Sequence, residues 1–288
     1  MLIDTHCHIH DVEYPLDIDE VIERAHSADV MEIICIGTGE DDSLRAVEFA
    51  KNHDGVYATI GVHPHEVMDR GSNIGHSIES ILLENGFALG QKRAPAPFQA
   101  QAADVFLKEG LQQNSTILNR KIVAIGEIGL DYYHDSTDHE IQKQVLISQI
   151  DVALKFDLPI VFHVRDAYED FWPIFDKYQG KIRGVLHSFS DNAENVNEAL
   201  KRGLYISVNG LSTFTKIEEQ KNLFAGIPLH RLLFETDAPY LTPVPFRGKV
   251  NEPAFVGNIA EFHANIRQIS VSEIADTTTA NARKLFGI

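Results

Sequence analysis

The stretch LPIVFHVRDAYEDFWPIFDKYQGKIRGVLHSFSDNAENVNEALKRGLYISV, residues 158–208, decides the fold. It holds three short apolar, β-branched runs, Leu158–His163, Ile182–His187 and Leu204–Val208. Each has the length and composition of a buried strand. Helical patterning lies between them, as in Asp191–Arg202, where Val196, Ala199 and Leu200 share one face. Strands alternating with helices imply a parallel sheet, because a parallel neighbour can be reached only by a crossover.

The same alternation extends in both directions. Five further runs read as strands: Leu2–Cys7, Met31–Ile36, Val56–Val62, Ile122–Ile125 and Arg231–Phe234. Helical spacing recurs in Asp19–Ala28 (Val21, Ile22, Ala25), in Asp41–Asn52 (Leu44, Val47, Ala50) and in His139–Phe156 (Ile141, Val145, Ile150, Leu154). Two helices close the chain, the last opened by the capping box Ser270-x-x-Glu273. Eight such units within 288 residues predict an α/β fold, a (β/α)8 TIM barrel built as one domain over residues 1–288. An open doubly wound sheet is the alternative, but no GxGxxG follows the first strand. One connection, Pro64 to Lys121, is far longer than the others and contains an insertion at about residues 68–119. Its centre, GFALGQKRAPAPFQAQ at 86–101, reads as a loop or short helical insertion on the C-terminal face.

Composition excludes several classes. With 44% apolar and 23% charged residues the chain can bury a full core, so general disorder is excluded. No run approaches the roughly 20 apolar residues of a membrane span. The start, MLIDTHCHIH, lacks the basic and apolar regions of a signal peptide, so a soluble cytoplasmic protein is expected. Cys7 and Cys35 cannot make a disulfide framework and are expected to be reduced. A net charge of −17, from 25 basic against 42 acidic residues, argues against a basic surface that grips a long duplex. Bound divalent cations can still supply positive charge locally.

The positions of the ligand-type residues carry the chemistry. His6 and His8 end the first strand, Glu127 follows the fourth, His163 the fifth, His187 the sixth and Asp237 the eighth. All lie at the C-terminal ends, where such a barrel gathers its catalytic groups. His6 and His8 are two apart on a strand and so point the same way, with Cys7 turned away from them into packing. A lone histidine is more often a hydrogen-bonded or surface residue, but six such residues at one end make a metal site the better reading. Four histidines and two carboxylates exceed what one tetrahedral zinc needs. They suit Zn²⁺, Mn²⁺ or Co²⁺ better than Mg²⁺, and Glu127 is placed to bridge two ions.

These residues resemble the TatD family of metal-dependent deoxyribonucleases, among the amidohydrolase-type barrels. The matching segments run in order: DTHCHI at 4–9, GVHPHE at 61–66, GEIGLDYY at 126–133, FHVRDA at 162–167, HSFS at 187–190, ETDAPYL at 235–241, RGKVNEP at 247–253 and NARKLFG at 281–287. The resemblance implies two divalent ions (Mg, Mn or Zn), one among His6, His8, Glu127 and Asp237 and the other among Glu127, His163 and His187. It makes Glu127 the bridging carboxylate and Asp237 the general base. It places His63 against substrate phosphate, and Arg165, Arg247 and Lys249 read as cations for the substrate backbone. Glu235 and Asp131 read as carboxylates that orient ligands. Asp191, where relatives carry glycine, and Val250, where they often carry a basic residue, depart from the family pattern without touching a ligand position.

The implied activity is hydrolysis of DNA phosphodiesters, as an exonuclease on single-stranded or short substrates, by a monomer with no obligatory protein partner. Two other readings stand beside it. Similar barrels hydrolyse acyl and amide bonds, as in a D-aminoacyl-tRNA deacylase, and fold alone does not separate them. A metal-stabilised binding protein without catalysis would have no need of an open dinuclear site.

Overall fold

The computed structural model describes residues 1–67, 73–88, 121–134 and 137–288. In chain order its elements are β1 (Leu2–Cys7), α1 (Ile18–Ser27), β2 (Val30–Ile36), α2 (Glu40–Asn52), β3 (Val56–Ile60), α3 (Ile74–Glu84), β4 (Ile122–Asp131) and α4 (His139–Lys155). There follow β5 (Ile160–Arg165), α5 (Tyr168–Asp176), β6 (Gly184–Leu186), α6 (Ala193–Lys201), β7 (Tyr205–Val208), α7 (Leu211–Phe214), α8 (Glu218–Gly226), β8 (Leu232–Phe234), α9 (Val256–Arg267) and α10 (Val271–Phe286).

The strands are paired in parallel in the order β1 to β8. The seam between β8 and β1 is shut beyond the last strand itself. Asp237 N–H donates to the His6 carbonyl at 2.8 Å, and His8 N–H donates to the Ala238 carbonyl at 2.8 Å. Asp4, fully buried, accepts from Thr236 N–H at 2.8 Å and from its hydroxyl at 2.6 Å. The predicted (β/α)8 barrel is therefore the fold observed.

Alternation sorts each strand's residues into two layers. Ile3, Ile34, Val123, Val161, Val185, Tyr205 and Leu233 form one buried cluster with Leu285 and Phe286 of α10, whose end packs beneath the barrel. The opposite faces meet the helices, and Cys7 lies there with its register partner Cys35, both buried and unbridged. The helices begin where the sequence offers caps. Asp17 accepts from Glu20 N–H at α1, Asp138 from Glu140 N–H at α4, and Ser270 from Glu273 N–H at α10, as its capping box predicts. On α2 the buried face runs through Ser43, Ala46, Val47 and Ala50, so Val47 and Ala50 lie where expected and Leu44 alone of the expected stripe is exposed.

One expectation changes. β4 does not stop at Ile125 but continues to Asp131, so Glu127 lies within the strand rather than after it. Gly126 and Gly129 lie inside the strand, where they serve close approach. A Cβ on Gly126 would stand 2.6 Å from Cβ of Val161, and one on Gly129 would overlap the His163 carbonyl oxygen. Glycine alone lets β4 and β5 meet where Glu127 and His163 must face each other. Gly129→Ala is therefore expected to cost about 3 kcal/mol, the upper end for overpacking, because backbone must yield. An unchanged denaturant midpoint would contradict this. Within the 68–119 insertion, read as a loop or short helical insertion, 74–84 form the helix α3, which buries Ile74, Ile78, Ile81 and Leu82. The remainder of its Gly/Pro-rich centre, from 89 onward, lies outside the described residues.

His263 on α9 is fully buried, with Ser212 Oγ 2.9 Å from its Nε2. Burial, assisted by the nearby Arg267 charge, pushes its pKa down to about 3. The unfolded chain binds this proton near pH 6.5, so the contribution is complete above that value and is lost as pH falls toward about 3. Wild type should lose stability relative to His263→Asn at up to about 1.4 kcal/mol per pH unit across that window. Parallel pH profiles in denaturant melts would expose the idea as wrong.

Candidate metal centre

The barrel gathers five of the six candidate ligands around the sixth, Glu127. Its two oxygens face different partners. Oε1 lies 2.7 Å from His187 Nε2, 2.9 Å from His163 Nδ1 and 3.5 Å from His63 Nε2. Oε2 lies 3.4 Å from His6 Nε2. The same His6 nitrogen is 3.2 Å from His8 Nε2 and 3.6 Å from Asp237 Oδ1, which is also 3.6 Å from His8 Nε2. The rings of His6 and His187 stack at 4.0 Å, so the two halves touch.

Neighbours hold these rings. His8 Nδ1 faces the Ile36 carbonyl at 3.1 Å, and donation there leaves the Nε2 lone pair directed at Asp237. His163 Nε2 lies 3.0 Å from Asp131 Oδ2. His187 Nδ1 lies 3.4 Å from Glu235 Oε1, an oxygen that the Ser188 N–H fixes at 2.7 Å. Asp131 and Glu235 thus sit behind histidines, where carboxylates orient metal-facing imidazoles. Asp237 has φ +59°, a left-handed backbone that aspartate tolerates better than most residues.

The electrostatics are those of anions inside a ring of imidazoles. Burial acts to raise the Glu127 carboxyl, but His187, His63 and His163 hold it well below the usual carboxylate range. Asp237 is also lowered, burial being outweighed by His8, His6 and His187. Burial and the neighbouring His187 lower His6, whereas His187 itself is raised because Glu127 and Glu235 outweigh burial. Burial brings His63 down to about 4.

This donor set fits divalent ions. Nitrogens 3.2 Å and 3.3 Å apart, His6 with His8 and His163 with His187, place lone pairs face to face beside carboxylates. That spacing is close to the edge of a tetrahedron with metal–ligand bonds of about 2.0–2.1 Å. His6, His8 and Glu127 form one group able to hold an ion, His6, His187 and Asp237 another, and His63, Glu127 and His163 a third. His63, expected on the substrate side, therefore also stands among the donors.

The expected substrate cations lie outside this hydrogen-bonded cluster. The Arg165 guanidinium, at the end of β5, lies 3.9 Å above the Tyr133 ring. Arg247 lies 3.8 Å above Phe214 and donates to the Thr242 carbonyl at 2.9 Å, and the Lys249 ammonium is 5.2 Å from the Phe246 ring. Sequence reasoning passed over His65 and His134, which reach Asp131, and His10, which pairs with Asp42 at 3.1 Å. The repeated histidine in GVHPHE was the available signal for His65, and nothing in the pattern marked His134. Tyr133 and Tyr240, exposed by 58% and 63%, follow Asp131 and Asp237 and were likewise unremarked. Among the described residues no helix is long and apolar enough to cross a membrane.

The comparisons with known proteins concern the chain as a whole. The model of the TatD related DNase family matches residues 3–287. A metal-dependent hydrolase of Bacillus subtilis, YabD, is 37% identical over the whole of both chains. The 3′-5′ ssDNA/RNA exonuclease TatD of Citrobacter rodentium is 30% identical over 96% of this chain and 94% of its own. The crystal structure of YJJV, a TatD homologue of Escherichia coli, superposes with a TM-score of 0.81 at 26% identity, covering 100% of this chain and 98% of that one. With a matching family model over nearly its full length, this chain belongs to the TatD-related DNase family of metal-dependent hydrolases.

Proposed function

We propose that this protein is a metal-dependent nuclease that hydrolyses DNA phosphodiesters from a strand end, on single-stranded or short substrates. The observation that carries the reading is Glu127, whose two oxygens face two separate sets of donors. One ion would be held by His6, His8, Glu127 and Asp237, and a second by Glu127, His163 and His187. Mg²⁺, Mn²⁺ and Zn²⁺ are the candidates. When bound, such ions supply Lewis-acid polarisation of a phosphate and a water nucleophile at neutral pH.

The chain's own residues do the rest. Asp237, ionised and aimed into the centre, accepts the proton of the attacking water. Asp131 and Glu235 keep His163 and His187 in position. His63, its pKa brought down by burial, would meet the scissile phosphate. Arg165, Arg247 and Lys249 offer cations to the substrate backbone, and exposed Tyr133 and Tyr240 offer faces on which unpaired bases stack. The net charge of −17 disfavours a long duplex away from this centre and supports short or single-stranded substrates.

The test uses metal-stripped protein with 3′- and 5′-labelled single strands, duplexes and short oligonucleotides, restored with Mg²⁺, Mn²⁺ or Zn²⁺. Metal-restored cleavage of single strands is expected, with the label pattern giving polarity. Preference for intact long duplex would overturn the substrate assignment. Failure on all nucleic acids, with hydrolysis of an acyl ester such as D-aminoacyl-tRNA, would overturn the nuclease reading.

A further inference from the structure

Asp131 serves His163, but that role leaves part of its surroundings unexplained. Its Oδ2 is met by three imidazole nitrogens, His163 Nε2 at 3.0 Å, His65 Nε2 at 2.9 Å and His134 Nδ1 at 2.9 Å. Its Oδ1 already accepts the backbone N–H groups of Tyr133 at 3.0 Å and His134 at 3.1 Å. A carboxylate oxygen has two in-plane lone pairs, so three N–H donors overcrowd it. The crowding disappears if two of those nitrogens present lone pairs instead, with a cation between them and the oxygen.

The geometry suits such a cation. The donor atoms of His65, Asp131 and His134 lie within 4.8 Å of one another. The two rings meet edge to face with centroids 4.6 Å apart. Asp131 is wholly buried, while the side chains of His65 and His134 are 32% and 43% exposed. The arrangement has a fixed anionic floor, two imidazole walls and an entry from solvent. Two nitrogens and one oxygen with a side left open are the ligand set of a zinc-type ion, whereas Mg²⁺ prefers oxygen throughout.

We propose that His65, Asp131 and His134 form an outer metal site for a zinc-class ion, distinct from the centre around Glu127 and connected to it through Asp131 and His163. An ion there would draw on the oxygen that also holds His163, so outer occupancy adjusts how firmly that ring is set toward Glu127.

The test counts ions. Metal-stripped full-length protein is loaded with Zn²⁺, or with Co²⁺ for its visible absorption, exchanged into metal-free buffer and analysed for metal per chain. His134→Ala and His65→Ala are each expected to hold one ion fewer than wild type and to lose one component of the Co²⁺ spectrum. Glu127→Gln should keep that component while losing inner ions. His134→Gln, a poor ligand that still hydrogen-bonds, guards against a folding artefact and should behave as His134→Ala does. Equal metal content and equal spectra in wild type and the three histidine variants would overturn the outer site and leave only hydrogen bonds to Asp131. The inner reading fails by a different result, a Glu127→Gln protein that retains every ion.

Discussion

Glu127→Gln is expected to abolish hydrolysis and to release the inner ions together. The side chain is 5% exposed and touches His187, His163 and His63 through one oxygen and His6 through the other. Glutamine keeps the volume but removes the charge, and its amide group would present N–H where the imidazoles need an anion. Removing one partner of a buried charged set costs about 3–5 kcal/mol. At about 1.4 kcal/mol per decade this is roughly two to four orders of magnitude in ion retention. Both readouts should fall together, labelled single-strand cleavage and metal per chain. A variant within threefold of wild-type rate and holding its inner ions would remove Glu127 from the centre of the proposal.

Asp237→Asn should separate chemistry from assembly. Its backbone sits at φ +59°, and asparagine tolerates that conformation, so the fold and the N–H bond to the His6 carbonyl should persist. What is lost is the ionised oxygen 3.6 Å from His6 and His8, the proposed acceptor of water's proton, while the asparagine carbonyl oxygen can still face the ion that His6, His8 and Glu127 would hold. A misplaced or missing general base costs about 10²–10⁴ in rate. The loss should fall on kcat, with KM nearly unchanged, because substrate is gripped elsewhere. A rise in KM at unchanged kcat would identify Asp237 as a binding group rather than a proton acceptor.

The eight-unit barrel and the six converging residues were legible because both are periodic signals. Apolar runs mark strands, and ligand-type residues at strand ends mark the mouth. Cys7 was placed correctly by its alternation with His6 and His8, in the same cluster as Cys35, although β1 is irregular between Asp4 and Cys7 and puts Ile3 in the other layer. The extent of β4 was not legible, because glycine reads as a break whether it ends a strand or permits contact. Gly126 and Gly129 do the second, and only the position of β5 reveals it. His134 escaped notice because Asp131 and His65 come to it from sequence separations of three and 69 residues, with no spacing rule to join them. The bracing of Arg165 on Tyr133 and of Arg247 on Phe214 depends in the same way on which loops meet at the mouth.

The seam between β8 and β1 has a consequence for the birth of the molecule. His6 and His8 are synthesised before the residues that latch them, Asp237 and Ala238, and Asp4 waits for Thr236. A chain arrested before β8 would carry five of the six proposed ligands with the ring still unclosed. On the proposed ligand set, competence to cut a nucleic acid waits for Asp237, the last of the six, and for the bonds that close the ring.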